Sequence, residues 1–263
     1  VIIDGRIGST GTTKDLTITN TSTTGPAIVF INDALNDTVT YANLKSDITT
    51  TTSGVVLFST TTGTTGNDNN GINNCNIGPN AANPTNGIYS SGTTTTATHN
   101  NSNNTISNNN IFDFYNSTST SNAGVGVNIT SGNTDWTINA NSFYQTATRS
   151  TFGSSGTFNG ILITNSSGNN FALTNNFIGG TAPLCGGTPL TLTATTTLVF
   201  RAIQATVGST TPTSIQGNTI RNIAVTTTST STVQSLISAL TGSFNIGTVS
   251  GNTLGSQSAT GSV

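Results

Sequence analysis

Residues 104–111 read Asn-Thr-Ile-Ser-Asn-Asn-Asn-Ile, and they contain the unit that decides the fold. Within this stretch, Ile106 is followed five positions later by a second aliphatic residue, Ile111. Apolar pairs with this spacing occur seven times, at intervals of 32 to 42 residues, which is typical of a solenoid built from internal repeats. The pairs are Val39/Leu44, Ile72/Ile77, Ile106/Ile111, Ile138/Phe143, Leu173/Ile178, Ile215/Ile220 and Val249/Leu254.

An asparagine corner is predicted between the two members of each pair. A spacing of five would put them on opposite faces of a straight strand, so both point inward only if the backbone turns between them. Asparagine tolerates the left-handed conformation of a tight corner, and its amide can bond to the same amide one coil away. We therefore expect asparagines at this position to form the corner and a stacked ladder. They are Asn109, Asn141, Asn176, Asn218 and Asn252.

Each repeat also has a third short apolar segment, which comes before the pair. The composition is rich in threonine, which suits strands, and poor in helix-forming residues. We predict an all-β protein with one domain over residues 1–263, a right-handed parallel β-helix of about seven to eight coils. The third segments are Ala27–Phe30, Val55–Phe58, Gly87–Tyr89, Val125–Ile129, Gly160–Ile163, Val199–Ile203 and Leu236–Ala239.

Charged residues are rare in this chain. They make up 5% of the sequence, against roughly a quarter in an ordinary soluble domain. The formal net charge is −2, so no basic surface for nucleic acid is expected. No apolar run approaches the ~20 residues of a membrane span, so no membrane insertion is expected either. Because the chain does not begin with methionine, we expect it to be a mature product or an excised piece of a longer protein, and we favour the piece.

Four segments share a pattern of short apolar strands and asparagine-rich or threonine-rich turns. They are Gly54-Val-Val-Leu-Phe58, Gly63-Thr-Thr-Gly-Asn-Asp-Asn-Asn70, Asn86-Gly-Ile-Tyr-Ser90 and residues 104–111. They resemble the β-strand repeats of very large proteins that bacteria export through the type IX secretion system. The resemblance implies a secreted or cell-surface protein with an adhesive or structural role. Its implied partners are surface glycans or other cell-surface and secretion-system proteins, and it carries over no catalytic residue.

The acidic residues do not form a catalytic pattern, although a carbohydrate-cleaving or carbohydrate-binding β-helix is the main alternative function. Glycoside hydrolysis needs two carboxyl groups held a few ångströms apart. All eight acids are aspartates, none follows Asp135, and Asp37 and Asp135 lie at different offsets from their anchors. His99 is the only histidine and is expected in an exposed loop. We therefore expect no enzyme, no metal site and no cofactor.

Two further polar features have structural interpretations. Cys75 holds the corner position of its repeat, about three coils from Cys185, so two free thiols are expected, with Cys75 buried. A disulfide would need the long insertion at Gly179–Thr197 to fold back along the rod.

The segment Asn67–Gly71 has the oxygen density of a calcium loop but only one acid, and a solvated turn is expected there.

Aromatic residues fall into an inward and an outward group. Trp136 shares the parity of its anchor Ile138, so it is expected in the core. Phe112 and Tyr144 each follow the second anchor of their repeat by one residue, which predicts an outward, stacked pair on adjacent coils with Tyr115 nearby. These three are candidate glycan-binding residues. Packing under the following loop is the other interpretation.

Threonines are frequent at the outward positions beside the first anchors. Residues that flank the first anchors face out and would form threonine columns, the basis of an ice-binding solenoid as a second alternative. Gly71 and Ala172 interrupt these columns.

The chain begins with the apolar segment Val1–Ile3, and neither end has a charged or helical cap. We therefore expect the isolated chain to self-associate end to end.

Overall fold

Three parallel sheets run along the protein, stacked from successive coils of the chain. The computed structural model describes residues 1–150, 152, 153, 155–228 and 234–255. Within these described residues, two of the three sheets have eight strands and the third has seven. Every strand pairs in parallel with the equivalent strand of the next coil. This arrangement is a parallel β-helix, as predicted.

The strands of the first sheet are Ile2–Asp4, Thr38–Thr40, Gly71–Asn73, Thr105–Ser107, Thr137–Asn139, Ala172–Thr174, Thr213–Gln216 and Phe244–Ile246. Those of the second sheet are Leu16–Asn20, Ala42–Ser46, Asn76–Pro79, Asn110–Phe112, Ser142–Tyr144, Phe177–Ile178, Thr219–Ile220 and Thr253–Leu254. Those of the third sheet are Ile28–Phe30, Val56–Phe58, Asn86–Ser90, Asn122–Ile129, Ser155–Thr164, Thr197–Thr206 and Ser235–Thr241.

Shorter strands and helices lie in the segments between the strands of the three main sheets. Strand Asn101–Ser102 pairs with Asn133–Thr134, and Leu190–Ala194 pairs with Ile223–Thr227. Three short 3₁₀ helices span Ile7–Ser9, Ala97–His99 and Pro183–Cys185. The long insertion Gly179–Thr197 therefore contains a helical turn and an added strand, and the apolar pairs of the sequence repeat did not predict either element.

The anchors of the apolar repeat form the core. Ile106 and Ile138 are in register in the first sheet, and Ile111 and Phe143 are in register in the second. All four are fully buried. Because the members of a pair lie in different sheets yet face one interior, the turn that the spacing of five required is present. Burial of each such side chain contributes about 1.5–3 kcal/mol to the free energy of unfolding.

The predicted asparagine ladder is also present, and Asn141 shows its pattern. Its Oδ1 accepts hydrogen bonds from the backbone N–H (3.0 Å) and from Nδ2 (2.9 Å) of Asn109. Its Nδ2 donates to the carbonyl of Ile106 and to Oδ1 of Asn176. The same pattern continues through Asn176 and Asn218 to Asn252. Each buried amide therefore ties one coil to the next and caps a carbonyl at the corner.

The left-handed corner lies one residue earlier than predicted. Residues with positive φ directly precede the ladder, and they are Asn108 (55°), Ala140 (55°), Asn175 (56°) and Gly217 (64°). The ladder asparagines are not among the described residues with positive φ. The prediction that one asparagine both turns the chain and forms the ladder is therefore wrong. The first of two adjacent residues has the left-handed conformation, and the second forms the ladder.

A second left-handed corner precedes five successive strands of the first sheet. It recurs five residues before the first one, at Asn36, Asn69, Asn103, Asp135 and Asn170, with φ between 54° and 60°. The residue after this corner again points inward. Asn70 and Asn104 are buried there, and the backbone N–H of Asn70 donates to Oδ1 of Asn104 (2.9 Å). The prediction of a solvated turn at Asn67–Gly71 is therefore wrong for this segment.

Aromatic residues replace the amides of this second ladder in later coils. Trp136 follows Asn104 in register, and Phe171 follows Trp136. Both are buried, and the Trp136 indole N–H donates to the carbonyl of Asn101 (2.9 Å). The inward assignment of Trp136 is confirmed.

The last coil departs from the predicted register. Ile246, and not Val249, pairs with Ile215 in the first sheet, whereas Leu254 pairs with Ile220 as expected. Val249 is 93% exposed. In this coil the corner between the two sheets is longer, so the spacing of five between apolar residues is accidental there.

Ala140→Gly should stabilise the protein by about 0.5 kcal/mol. Ala140 holds a left-handed conformation that costs an L-residue about 1–2 kcal/mol, which exceeds the entropic cost of glycine. Gly217 already occupies the equivalent corner. Ala172→Gly, in an extended strand of the first sheet, should instead lower stability by about 0.5–1 kcal/mol. Urea denaturation of both variants tests this, and shifts of the same sign would contradict it.

Candidate functional site

The predicted outward aromatic pair exists but is not an open platform. The rings of Phe112 and Tyr144 stack at 5.4 Å between centroids with 11° between their planes. Phe112 is half-buried and Tyr144 is 8% exposed. The turn Pro183–Cys185 packs against the strand of Tyr144, where the backbone N–H of Leu184 donates to Oγ of Ser142. Burial, together with the nearby charge of Asp113, raises the pKa of Tyr144 to about 12.

Tyr115 belongs to a closed cluster beside this pair. The Arg149 guanidinium lies 5.2 Å from the centre of the Tyr115 ring, and Phe152 packs edge-on against the same ring. Arg149 also forms a 2.5 Å ion pair with Asp113 and donates to Gln145. These contacts fasten the loop between strands Ser142–Tyr144 and Ser155–Thr164. The assignment of Phe112, Tyr144 and Tyr115 to glycan binding stays a prediction.

The carboxylates act as hydrogen-bond acceptors within the fold. Asp47 accepts from the backbone N–H groups of Ala82 (2.7 Å) and Ala81 (2.6 Å) and from the Asn80 amide, and these bonds lower its pKa. The Thr61 hydroxyl and two backbone N–H groups similarly lower the pKa of Asp33. A general acid needs a raised pKa, so these two residues have the opposite character.

Other polar candidates also have local roles. His99 ends a short 3₁₀ helix, and its Nδ1 lies within hydrogen-bond distance of the Thr95 and Thr96 hydroxyls. Among the described ranges, no group of three histidine, cysteine or acidic residues could hold a metal ion. In the same ranges, no helix is long and apolar enough to cross a membrane.

The two cysteines are free, as predicted, and both are buried, although burial was predicted for Cys75 alone. Burial raises the pKa of the Cys75 thiol to about 11, and it also raises the pKa of Cys185. Neither thiol should therefore react with the disulfide reagent DTNB in the native protein at about pH 8, because only the thiolate attacks. After denaturation, two equivalents per chain should react. Rapid labelling of the native protein, or fewer than two equivalents after unfolding, would contradict this.

A groove along the third sheet is the feature that the sequence interpretation missed. In the longest strands, two adjacent residues face the core, as Gly160 and Ile161 do. A side chain at Gly160 would come within 2.6 Å of the Ala202 carbonyl oxygen, so the backbone approaches closely there. The outward residues on either side, Asn159 and Leu162, consequently line one groove of about 390 Å³.

Two columns of side chains form this groove. In the first column Asn159 is in register with Arg201, and in the second column Asn128, Leu162 and Gln204 follow one another. Tyr89 precedes Asn128 in the second column, and Thr51, Thr52, Ser121, Asn122, Thr130, Thr157 and Thr164 complete the lining. Arg201 brings a single positive charge and donates to Oε1 of Gln204 (2.8 Å).

Asn159 is unusual among the polar residues of the groove. It is fully buried, and neither its Oδ1 nor its Nδ2 has a hydrogen-bond partner among the described residues. Oδ1 of Asn128 is likewise unpartnered, although its Nδ2 donates to Asn86. Leaving a buried polar atom without a partner costs about 1–3 kcal/mol. A sequence signal did exist, since Gly87, Gly126 and Gly160 interrupt three successive strands of this sheet.

Comparisons with known proteins give only distant similarities of structure. No protein-family model matches the chain, and no curated protein does. Two solved structures of the surface adhesin PfbA of Streptococcus pneumoniae match, each at 14% identity over 84% of this chain, with TM-scores of 0.39 and 0.42. The matched regions cover 64% and 58% of those adhesin chains. The assignment of the fold rests on the three sheets described above.

Proposed function

We propose that this chain is an adhesive or structural β-helix segment of a secreted or cell-surface protein. The observation that carries the proposal is the outer face of the first sheet. Between the first and last coils it presents two columns of uncharged residues. They are Thr38, Gly71, Thr105, Thr137, Ala172 and Ser214 in one column, and Thr40, Asn73, Ser107, Asn139, Thr174 and Gln216 in the other. Such a rigid, weakly charged surface suits broad contacts that depend little on salt.

The proposal includes export through the type IX system and a non-catalytic role. Export is supported by the resemblance of the repeats to β-strand repeats of that class. The non-catalytic role is supported by the carboxylates of Asp33, Asp47 and Asp113, which are bonded to backbone or side-chain groups of the fold. Surface glycans and other cell-surface or secretion-system proteins are the proposed partners.

Carbohydrate binding is a second candidate function, and the groove on the third sheet favours it. Ice binding receives less support. Gly71 and Ala172 interrupt the column that contains Thr38 and Thr105, and Ser107 and Asn73 are hydrogen-bonded to each other on the outer face. A lattice-matching face needs the same group in every coil.

Adhesion can be measured with latex beads that carry the purified chain. We expect such beads to resist detachment by flow from epithelial cell monolayers and from mucin-coated glass better than albumin-coated beads. Raising the salt concentration should change retention little. The same protein should release no reducing sugar and no unsaturated sugar from plant or microbial polysaccharides. Retention no better than that of albumin beads on both surfaces, or reproducible turnover, would overturn the proposal.

End-to-end self-association of the 263-residue chain stays a prediction. Exposed apolar side chains occur in the first coil, at Ile2 and Ile7, and in the last coil, at Ile246 and Leu254. The sheet edges of these coils are also unpaired within the described chain. Sedimentation velocity should show mass increasing with protein concentration at low and high salt. A monomer at every concentration would contradict this.

A further inference from the structure

We infer that the groove on the third sheet binds a strand of polysaccharide, with Asn159 as its central hydrogen-bonding residue. For this inference, the groove is defined by Tyr89, Asn128, Asn159, Leu162, Arg201 and Gln204. The inference rests on the proposed adhesive function and gives it a site and a ligand class.

The unpartnered amide of Asn159 is the first support. An asparagine amide offers two donors and two acceptor positions, and none of them has a partner among the residues that the structure describes. A fold that needed this position only for packing would use an apolar residue. The preceding coil does so, since Val125 is in register with Asn159. The amide is therefore retained at a cost in stability, which is typical of a functional position.

The chemistry of the lining is the second support. Asn128 supplies another free acceptor, and Gln204 and Arg201 supply donors. Tyr89 and Leu162 lie on either side of Asn128 in one column, and both bring apolar surface. Alternating hydroxyl-binding groups and flat apolar patches match the two kinds of surface on a sugar ring.

The shape and charge of the groove narrow the ligand to a linear chain. Its columns repeat at the strand spacing of about 4.8 Å and extend over several coils, so a long ligand parallel to the rod can bond to successive coils. Among the described residues that line the groove, Arg201 is the only charged one. The groove therefore fits a neutral or weakly acidic glycan, and not a nucleic acid, which would require several basic residues.

Access to Asn159 requires a side chain to move. Both of its amide atoms are closed to solvent, and Arg201 is in register with it one coil away. The Arg201 guanidinium donates a hydrogen bond to Oε1 of Gln204. We expect rotation of this long side chain, the neighbour of Asn159 in the column, to expose the amide and to place the guanidinium beside the ligand.

The test compares Asn159→Val with Asn245→Val, an exposed asparagine in the last coil of the first sheet. Binding is measured by titration calorimetry with cellohexaose, xylohexaose and a hyaluronan hexasaccharide. We expect wild type and Asn245→Val to bind at least one of these probes, and Asn159→Val to bind it at least about tenfold more weakly. In urea, Asn159→Val should unfold at a higher concentration than wild type, because it removes an unpartnered buried amide.

Three results would overturn the inference. They are no binding of any hexasaccharide by the wild type, equal binding by Asn159→Val, and a lower unfolding midpoint for that variant. In each case, continued retention of wild-type beads on cells or mucin would leave the adhesive function standing, with the contact on another face. Loss of bead retention would instead remove the proposed function itself.

Discussion

Ile138→Asp should abolish cooperative folding. Ile138 is fully buried in the first sheet, in register with Ile106 below and Leu173 above. The substitution places a carboxylate in the apolar core, and burying an unpaired charge belongs to the class of changes that costs more than about 4–5 kcal/mol. Because each coil is stabilised only by its neighbours, a disrupted middle coil also separates the two halves of the rod. Circular dichroism should show no sharp thermal transition.

Asn139→Asp is the matched control for this variant. Asn139 is the next residue along the same strand, but it faces outward. Its Oδ1 accepts hydrogen bonds from the Thr174 hydroxyl and the Asn175 amide, and an aspartate oxygen can accept both. The same charge one residue away should therefore change stability by less than about 1 kcal/mol. If the two variants melted alike, the inward assignment of the anchors would be wrong.

The core of this fold was predictable because it repeats. A single apolar pair such as Ile106 and Ile111 is uninformative, but six successive copies at similar intervals require a common environment. Parallel stacking follows directly, since equivalent residues then lie in register. The last coil escaped the prediction because Val249 meets the spacing by chance, whereas Ile246 holds the structural position.

The corners were only half predictable. A run of asparagines such as Asn108-Asn109-Asn110 shows that the chain turns, but not which residue has positive φ. The structure assigns the left-handed conformation to Asn108 and the inward ladder position to Asn109. Asparagine suits both tasks, one through its tolerance of positive φ and the other through its amide. Identity alone therefore cannot separate them.

The groove could not be read from alternation of apolar and polar residues. In the third sheet, Gly160 and Ile161 both face the core, so the two-residue period of the strand is interrupted. Asn159 consequently faces outward together with Leu162, three residues later. Its lack of a hydrogen-bond partner is a property of three-dimensional packing, which no sequence pattern specifies.

Asn176→Ala should lower stability by about 3 kcal/mol, although the reason differs from a simple corner effect. Asn176 is fully buried, and its Oδ1 accepts from the backbone N–H of Asn141 (3.1 Å). Its Nδ2 donates to the carbonyl of Ile138 (2.9 Å) and to Oδ1 of Asn218. Alanine removes all these bonds and leaves the Asn141 N–H buried without its partner, and each orphaned group costs about 1–3 kcal/mol. Strain from positive φ contributes nothing, because Asn176 does not have that conformation.

Asn175→Ala separates the ladder from the corner, since it makes the same substitution at the adjacent residue. Asn175 is exposed and left-handed, and Ala140 already occupies the equivalent corner one coil earlier. This variant should lose only about 1 kcal/mol, from left-handed strain and from the bond to Asn139. Urea denaturation of both variants measures the difference. Equal losses, or a larger loss for Asn175→Ala, would mean that the corner conformation and not the buried amide ladder holds successive coils together.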